Sequence, residues 1–259
     1  MRDRRELAGA WSSFQSHGFA PPPAELSALI SHYWWARWDL RDQPDYTQLM
    51  VPRPNVQLTF STTGPPMIHG VARGRVTRVL SGRAAVLGVA FRPGVFRRYL
   101  NAPVDTITDR SLPAEAVFAD LPPLDLTHLT ADEEPAPPVD ALNDYLLTGL
   151  RPDPPGDEAA RRVGEIAGSP DLRRVDQLTT RWAVSERHLQ RLFAEHVGVS
   201  PKWVLRRFRL HEVTERMAAR TPIDWAALAA DLGYADQAHL TRDFTNMFGE
   251  PPTSYAARY

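Results

Sequence analysis

A chain of 259 residues, 43% of them hydrophobic, is long enough for two domains and apolar enough to bury a core in each. It contains no cysteine, which excludes disulfides, thiolate metal sites and Cys-based catalysis in one step. Its net charge of −1 is unevenly divided: residues 159–259 hold 15 Lys and Arg against 12 Asp and Glu, and the remainder 15 against 19.

The N-terminal run Met1-Arg2-Asp3-Arg4-Arg5-Glu6 leads into no apolar segment, and no stretch approaches eighteen apolar residues. A cytoplasmic protein without a membrane segment is expected. From about Leu26 to Leu112 the pattern reads as short strands separated by Gly and Pro. Val56-Gln57-Leu58-Thr59-Phe60 alternates apolar and polar, Arg75 to Leu80 nearly does, and Ala84 to Phe91 reads as a buried strand. A small β-barrel or sandwich-like domain with flanking helices, over 1–120, is the expectation. His32, Tyr33, Trp34, Trp35 and Trp38 form an aromatic cluster that either walls a pocket or packs a core. His32 and His69 have no partner at i+2 or i+4, so no metal pair and no cofactor are expected. Arg92, ahead of Pro93-Gly94, either holds an anionic ligand or caps the turn before a short helix over 95–100.

Residues 121–158 hold much of the proline, as in Leu121-Pro122-Pro123 and Arg151-Pro152-Asp153-Pro154-Pro155-Gly156, and read as a stiffened linker. Within it Val139, Leu142, Leu146 and Leu150 lie at helical spacing. That short amphipathic helix either packs on the core or pairs with a second copy of the chain.

The last hundred residues carry one pattern twice. At an offset of 51, His188 pairs with His239, Leu189 with Leu240, Arg191 with Arg242, Phe193 with Phe244, Gly198 with Gly249 and Pro201 with Pro252. In the first copy Leu189, Leu192 and Phe193 form an apolar stripe on a helix over 186–197, with Ser185 as its N-cap. In the second, Asp236 is the cap and Leu240, Phe244 and Phe248 the stripe. A shorter helix precedes each, Val175 to Arg181 and Trp225 to Leu232. The turns between are Trp182-Ala183-Val184 and Gly233-Tyr234-Ala235, the second one residue longer. Between the copies Pro201 to Ala218 reads as one helix, roughly 30 Å long and close to the ~34 Å of one DNA turn. Two reading helices on one chain are thus placed to enter adjacent major-groove segments. The side chains left on their polar faces, Ser185, Arg187, His188, Gln190 and Arg191 in the first and Gln237, Ala238, His239, Thr241 and Arg242 in the second, are the candidate DNA-binding set.

Residues 159–259 resemble the DNA-binding domain of the AraC/XylS family of bacterial transcriptional regulators. The resemblance is carried by Leu178 to Gly198, by Arg209-Leu210, by Leu228-Ala229 with Leu232-Gly233-Tyr234 and Asp236, and by Leu240, Arg242-Asp243-Phe244, Phe248-Gly249, Pro252 and Tyr255. Thr179 and Val213 depart from the family's usual Ala. Pro52-Arg53-Pro54-Asn55 and Phe91-Arg92-Pro93-Gly94 resemble a poorly characterised N-terminal domain found fused to such domains. The resemblance implies an α+β chain whose all-α C-terminal part holds two helix-turn-helix motifs joined by a linker helix. It implies double-stranded DNA and RNA polymerase as partners, and a small effector on the N-terminal domain, for which Trp34, Trp35, Trp38 and Arg92 are the candidate pocket.

No nucleophile–base pair, phosphate-cradling Gly loop or metal-ligand spacing supports an enzyme. The remaining competitor is a helical protein-interaction module without DNA contact, against which the polar and basic faces of both reading helices argue.

Overall fold

The computed structural model describes residues 14–130, 138–218 and 222–257, so the charged N-terminal run and part of the Pro-rich segment lie outside the described residues. The N-terminal half is built from β1 (Gln15–Ala20), β2 (Ile30–Leu40), β3 (Tyr46–Met50), β4 (Gln57–Ser61), β5 (Gly64–His69), β6 (Val76–Leu80), β7 (Gly82–Phe91) and β8 (Ser111–Pro113). Six of these form an antiparallel sheet in the order β1-β2-β7-β4-β5-β8, and β3 pairs with β6 in a second, two-stranded sheet.

Because successive strand residues point to opposite faces, the larger sheet sorts its side chains in two. Tyr33, Trp35, Leu58, Phe60, Ile68, Leu87 and Val89 are all buried in one large core. Trp34, Ala36, Gln57, Thr59, His69 and Val86 face the other way, into a cavity that β3 and β6 help to wall. Trp34 lies flat on the sheet opposite Gly88, where a Cβ would sit 2.1 Å from the indole. β5 contains Pro65 and Pro66, residues that sequence reading treats as breaks. They are tolerated because β8 pairs only with Met67 to His69, so neither proline faces that ladder.

Helix α1 (Arg97–Leu100) follows β7, and α2 (Asp140–Thr148) buries Leu142 and Leu146 while Leu147 stays exposed. Of its two expected roles, α2 takes core packing: the Tyr33 hydroxyl donates to Asn143 Oδ1 at 2.5 Å. Helix α3 (Pro154–Gly168) starts inside the segment read as linker. Asp153 caps it by accepting from the Gly156 N–H, and the two prolines fill first-turn positions whose N–H groups have no helical partner. The C-terminal helical unit therefore begins near residue 153 rather than 159.

The rest is helical: α4 (Val175–Trp182), α5 (Glu186–His196), α6 (Pro201–Ala218), α7 (Trp225–Asp231), α8 (Gln237–Phe248) and α9 (Pro252–Ala256). The fold is thus α+β, with the sequence-predicted pair of helix-turn-helix units, α4–α5 and α7–α8, joined by α6. Its halves share one core and are fastened by directed bonds. Thr108 Oγ1 donates to the Gly198 carbonyl at 2.6 Å, Trp203 Nε1 to the Arg73 carbonyl at 2.9 Å, and Arg207 Nε to the Pro52 carbonyl. Arg97 pairs with Glu195 at 2.9 Å. Among the described residues no helix is long and apolar enough to cross a membrane.

Candidate nucleic-acid interface

The two motifs repeat each other in their bonds as well as their residues. In each, the turn closes by a six-residue bond, Val184 N–H to the Thr179 carbonyl at 3.1 Å and Tyr234 N–H to the Ala229 carbonyl at 2.8 Å. Each reading helix starts from a side-chain cap: Ser185 Oγ accepts from the His188 N–H at 3.2 Å, and Asp236 Oδ1 from the His239 N–H at 2.6 Å. Each stripe is inside, with Leu189, Leu192 and Phe193 buried on α5 and Leu240, Phe244 and Phe248 on α8. Burying Phe193 or Phe244 contributes on the order of 1.5–3 kcal/mol, which fixes the rotation of each helix about its axis.

That rotation decides what the helices present. On α5 Arg187, Gln190 and Arg191 are exposed and His188 is half-buried; on α8 Gln237, Ala238 and Arg242 are exposed, with His239 and Thr241 half-buried. Among the described residues no carboxylate pairs with Arg187, Arg191 or Arg242, so their charge is uncompensated. The Asp243 carboxylate beside Arg242 is held by Arg206 of α6 at 2.9 Å and is turned away from that face. Gln190 is engaged, its Nε2 donating to Glu186 Oε1 at 2.8 Å, so it reaches a base only by giving up that bond. The His239 ring stands edge-on to Tyr234 with centroids 5.2 Å apart, a contact that gives it a packing role. The Ser185 hydroxyl is engaged as the cap of α5.

Arginines hold the two motifs in one arrangement. Arg209 of α6 donates to the Arg173 carbonyl at 2.7 Å and lies 4.9 Å over the Tyr234 ring, and Arg173 in turn reaches the Asp231 carbonyl at the end of α7. Val213 is fully buried, so that departure from the family pattern sits in packing, whereas Thr179 is half-buried and its hydroxyl donates to the Asp176 carbonyl of its own helix at 2.9 Å.

The expected effector cluster is divided by the sheet. Trp34 and Trp38 line the cavity, of about 770 Å³, but Trp35 points from the opposite face into the core, and Arg92 spends its Nε on the Ser27 carbonyl at 2.6 Å. Adjacent residues on a strand cannot line the same wall, so Trp35 leaves the set; Arg92 is not among the cavity lining, and its side chain ties the end of β7 to the segment before β2 rather than capping the Pro93-Gly94 turn. Sequence reading missed Gln57, Thr59, His69, Arg78 and Asn55, which do line the cavity. The alternation Gln57, Thr59, Ser61 on β4 was the signal for part of it. His69 Nε2 lies 2.9 Å from Thr59 Oγ1, and its Nδ1 lies 2.7 Å from Ser111 Oγ and 3.2 Å from an Arg78 nitrogen. Burial, with the nearby Arg78 charge second, pulls the His69 pKa down to about 4, so the ring is neutral at pH 7 and accepts from Arg78. Among the described residues no cluster of three or more His, Asp or Glu is placed to hold a metal ion.

Two family models match the chain: a domain of unknown function (DUF6597) over residues 19–113 and a helix-turn-helix domain over residues 178–258. The HTH-type transcriptional regulator Rv1931c of Mycobacterium tuberculosis is 32% identical over 103 residues, 40% of this chain and 38% of the relative. The chain thus spans about two fifths of the length of the curated relative it matches. Among solved structures, a probable AraC family transcriptional regulator from Rhodopseudomonas palustris is 29% identical over 38% of this chain and 94% of its own, with a TM-score of 0.34. ToxT from Vibrio cholerae covers 95% of this chain and 98% of its own at 8% identity, with a TM-score of 0.44. Over residues 178–258 the chain is thus similar to helix-turn-helix domains, and over 19–113 to the DUF6597 domain.

Proposed function

We propose that the chain is a sequence-specific, DNA-binding transcriptional regulator rather than an enzyme, and that it acts in the cytoplasm. One molecule reads two adjacent major-groove segments with α5 and α8. The observation that carries this reading is the uncompensated Arg191 and Arg242 at matching positions of two equally capped helices. Arginine placed this way forms paired hydrogen bonds to guanine, and phosphate contacts come from the same basic faces. Regulation at a promoter brings RNA polymerase as a further partner, and the cavity of the N-terminal domain takes a small effector. A homodimer is compatible with this but not required by it, since the second reading helix is already on the same chain.

Selection of duplexes from a random pool by the purified full chain, followed by titration, tests the reading. Enrichment of a two-part site, with affinity falling as salt rises, is expected. No enrichment and no salt-dependent binding would leave the alternative, a helical protein-interaction module.

A further inference from the structure

The cavity between the two sheets has a chemistry of its own. Its volume of about 770 Å³ is within the ~300–1,000 Å³ usual for small-molecule sites. Trp34, Trp38, Met50 and Val86 give it flat and apolar walls. Arg53, Arg75, Arg78 and Arg110 stand along its exposed lining, and the single carboxylate among the lining residues, Asp109, is already taken by the backbone N–H and Nε of Arg73. Among the described residues no carboxylate pairs with Arg75, Arg78 or Arg110. A concave surface edged by one sign of charge focuses counter-ions. Neutral His69 orients Arg78 by accepting from it, and Asn55 Oδ1, buried in the lining, accepts no hydrogen bond from a described residue.

The same lining touches the DNA-binding half. Arg53 and Asn55 also line a smaller pocket, of about 160 Å³, whose other wall is Phe208 and His211 of α6. Between them and α6 runs the bond from Arg207 to the Pro52 carbonyl. Arg75 lies against Gly249 at the end of α8.

We propose that this cavity binds an organic anion with an aromatic or alicyclic body, and that the loop of residues 52–55 passes its occupancy to α6 and so to the spacing of the two reading helices. The second half rests on the regulator reading; the first does not. Binding at the cavity changes DNA affinity only by favouring one arrangement of that loop against α6 over another.

Calorimetry on the full chain, without DNA, uses benzoate, 2-naphthoate and 4-phenylbenzoate, each beside its neutral primary amide. At least one acid should bind at least about tenfold tighter than its amide. Arg78→Gln should reduce that preference, weakening the acid more than its amide. Acids and amides binding alike, or no acid binding at millimolar concentration, would overturn the anion assignment whatever the DNA assay shows. The tightest acid is then added to a titration with the selected duplex. Affinity should shift by about threefold or more in the parent chain and stay constant in Arg207→Gln, which still binds the acid. Should Arg207→Gln fail to fold, His211→Gln on the same wall replaces it. An acid that binds while DNA affinity does not move would overturn the transmission but not the site, and a chain that binds acid but no DNA would overturn the regulator reading instead.

Discussion

Ala183 occupies, at φ 50°, the turn position that Gly233 occupies at φ 72° in the second motif. The bonds around them match, Ala183 N–H to the Thr180 carbonyl at 3.3 Å and Gly233 N–H to the Ala230 carbonyl at 2.9 Å. The backbone is therefore alike at this position of both turns, and the first one holds a residue with a Cβ in a left-handed conformation that disfavours it.

Ala183→Gly should stabilise the chain by about 0.5–1 kcal/mol, and Gly233→Ala should destabilise it by about 1 kcal/mol or more. The Arg173 Cδ, 3.3 Å from the new Cβ, adds to the second effect. Both positions are exposed, so burial of apolar surface contributes little. Urea unfolding of the two variants gives opposite signs if the turns are equivalent and the same sign if they are not.

Asp153 joins the start of α3 to the end of α5. Its Oδ1 caps α3 and its Oδ2 lies 3.1 Å from His196 Nδ1, with both residues buried. Asp153→Ala removes the cap and leaves the His196 ring without that partner, a loss of roughly 2–4 kcal/mol. Asp153→Asn, which keeps an acceptor, should lose less. Thermal unfolding of both variants checks the order.

His69 predicts an acid dependence. Its pKa is 6.5 when unfolded and about 4 when folded, so between these values the unfolded chain binds the extra proton. The stabilising contribution is complete above pH 6.5 and is lost as pH falls towards 4, by about 3 kcal/mol at roughly 1.4 kcal/mol per unit. His69→Gln should flatten stability over that range. A pH profile unchanged by the substitution would place the acid sensitivity elsewhere.

If α6 sets the spacing, its length matters more than its exposed chemistry. Two alanines inserted after Glu212 rotate the second motif by about 200° relative to the first and advance it by about 3 Å. Specific affinity should fall towards that of one motif, while Glu215→Gln, which loses only a 3.6 Å contact to His211, should change it little. Circular dichroism shows that the inserted variant is still helical, and titration with the selected duplex gives the affinity.

The helical half was legible because its signals are local. Caps, stripes and the turn residue each sit within one or two positions of the structure they specify, and the duplication states them twice. The β half was legible only in part, because its meaning depends on pairing. Trp34 and Trp35 are neighbours in sequence but line opposite faces of the sheet, while Trp34, His69 and Arg78 come from three strands to one cavity. β1 precedes the region read as strands, and β5 hides behind two prolines. The start of α3 is hidden in the sequence because Asp153-Pro154-Pro155 has the proline content of a linker, while in the fold it is a capped first turn.

The most direct test of the central claim, that one chain reads two major-groove segments with α5 and α8, is hydroxyl-radical footprinting on the selected duplex with the parent chain, Arg191→Ala and Arg242→Ala. The parent should protect two segments about ten base pairs apart on one face of the duplex. Each substitution should cost about 1–3 kcal/mol of specific binding and weaken protection of a different segment. A single protected segment, or both substitutions weakening the same one, would contradict it.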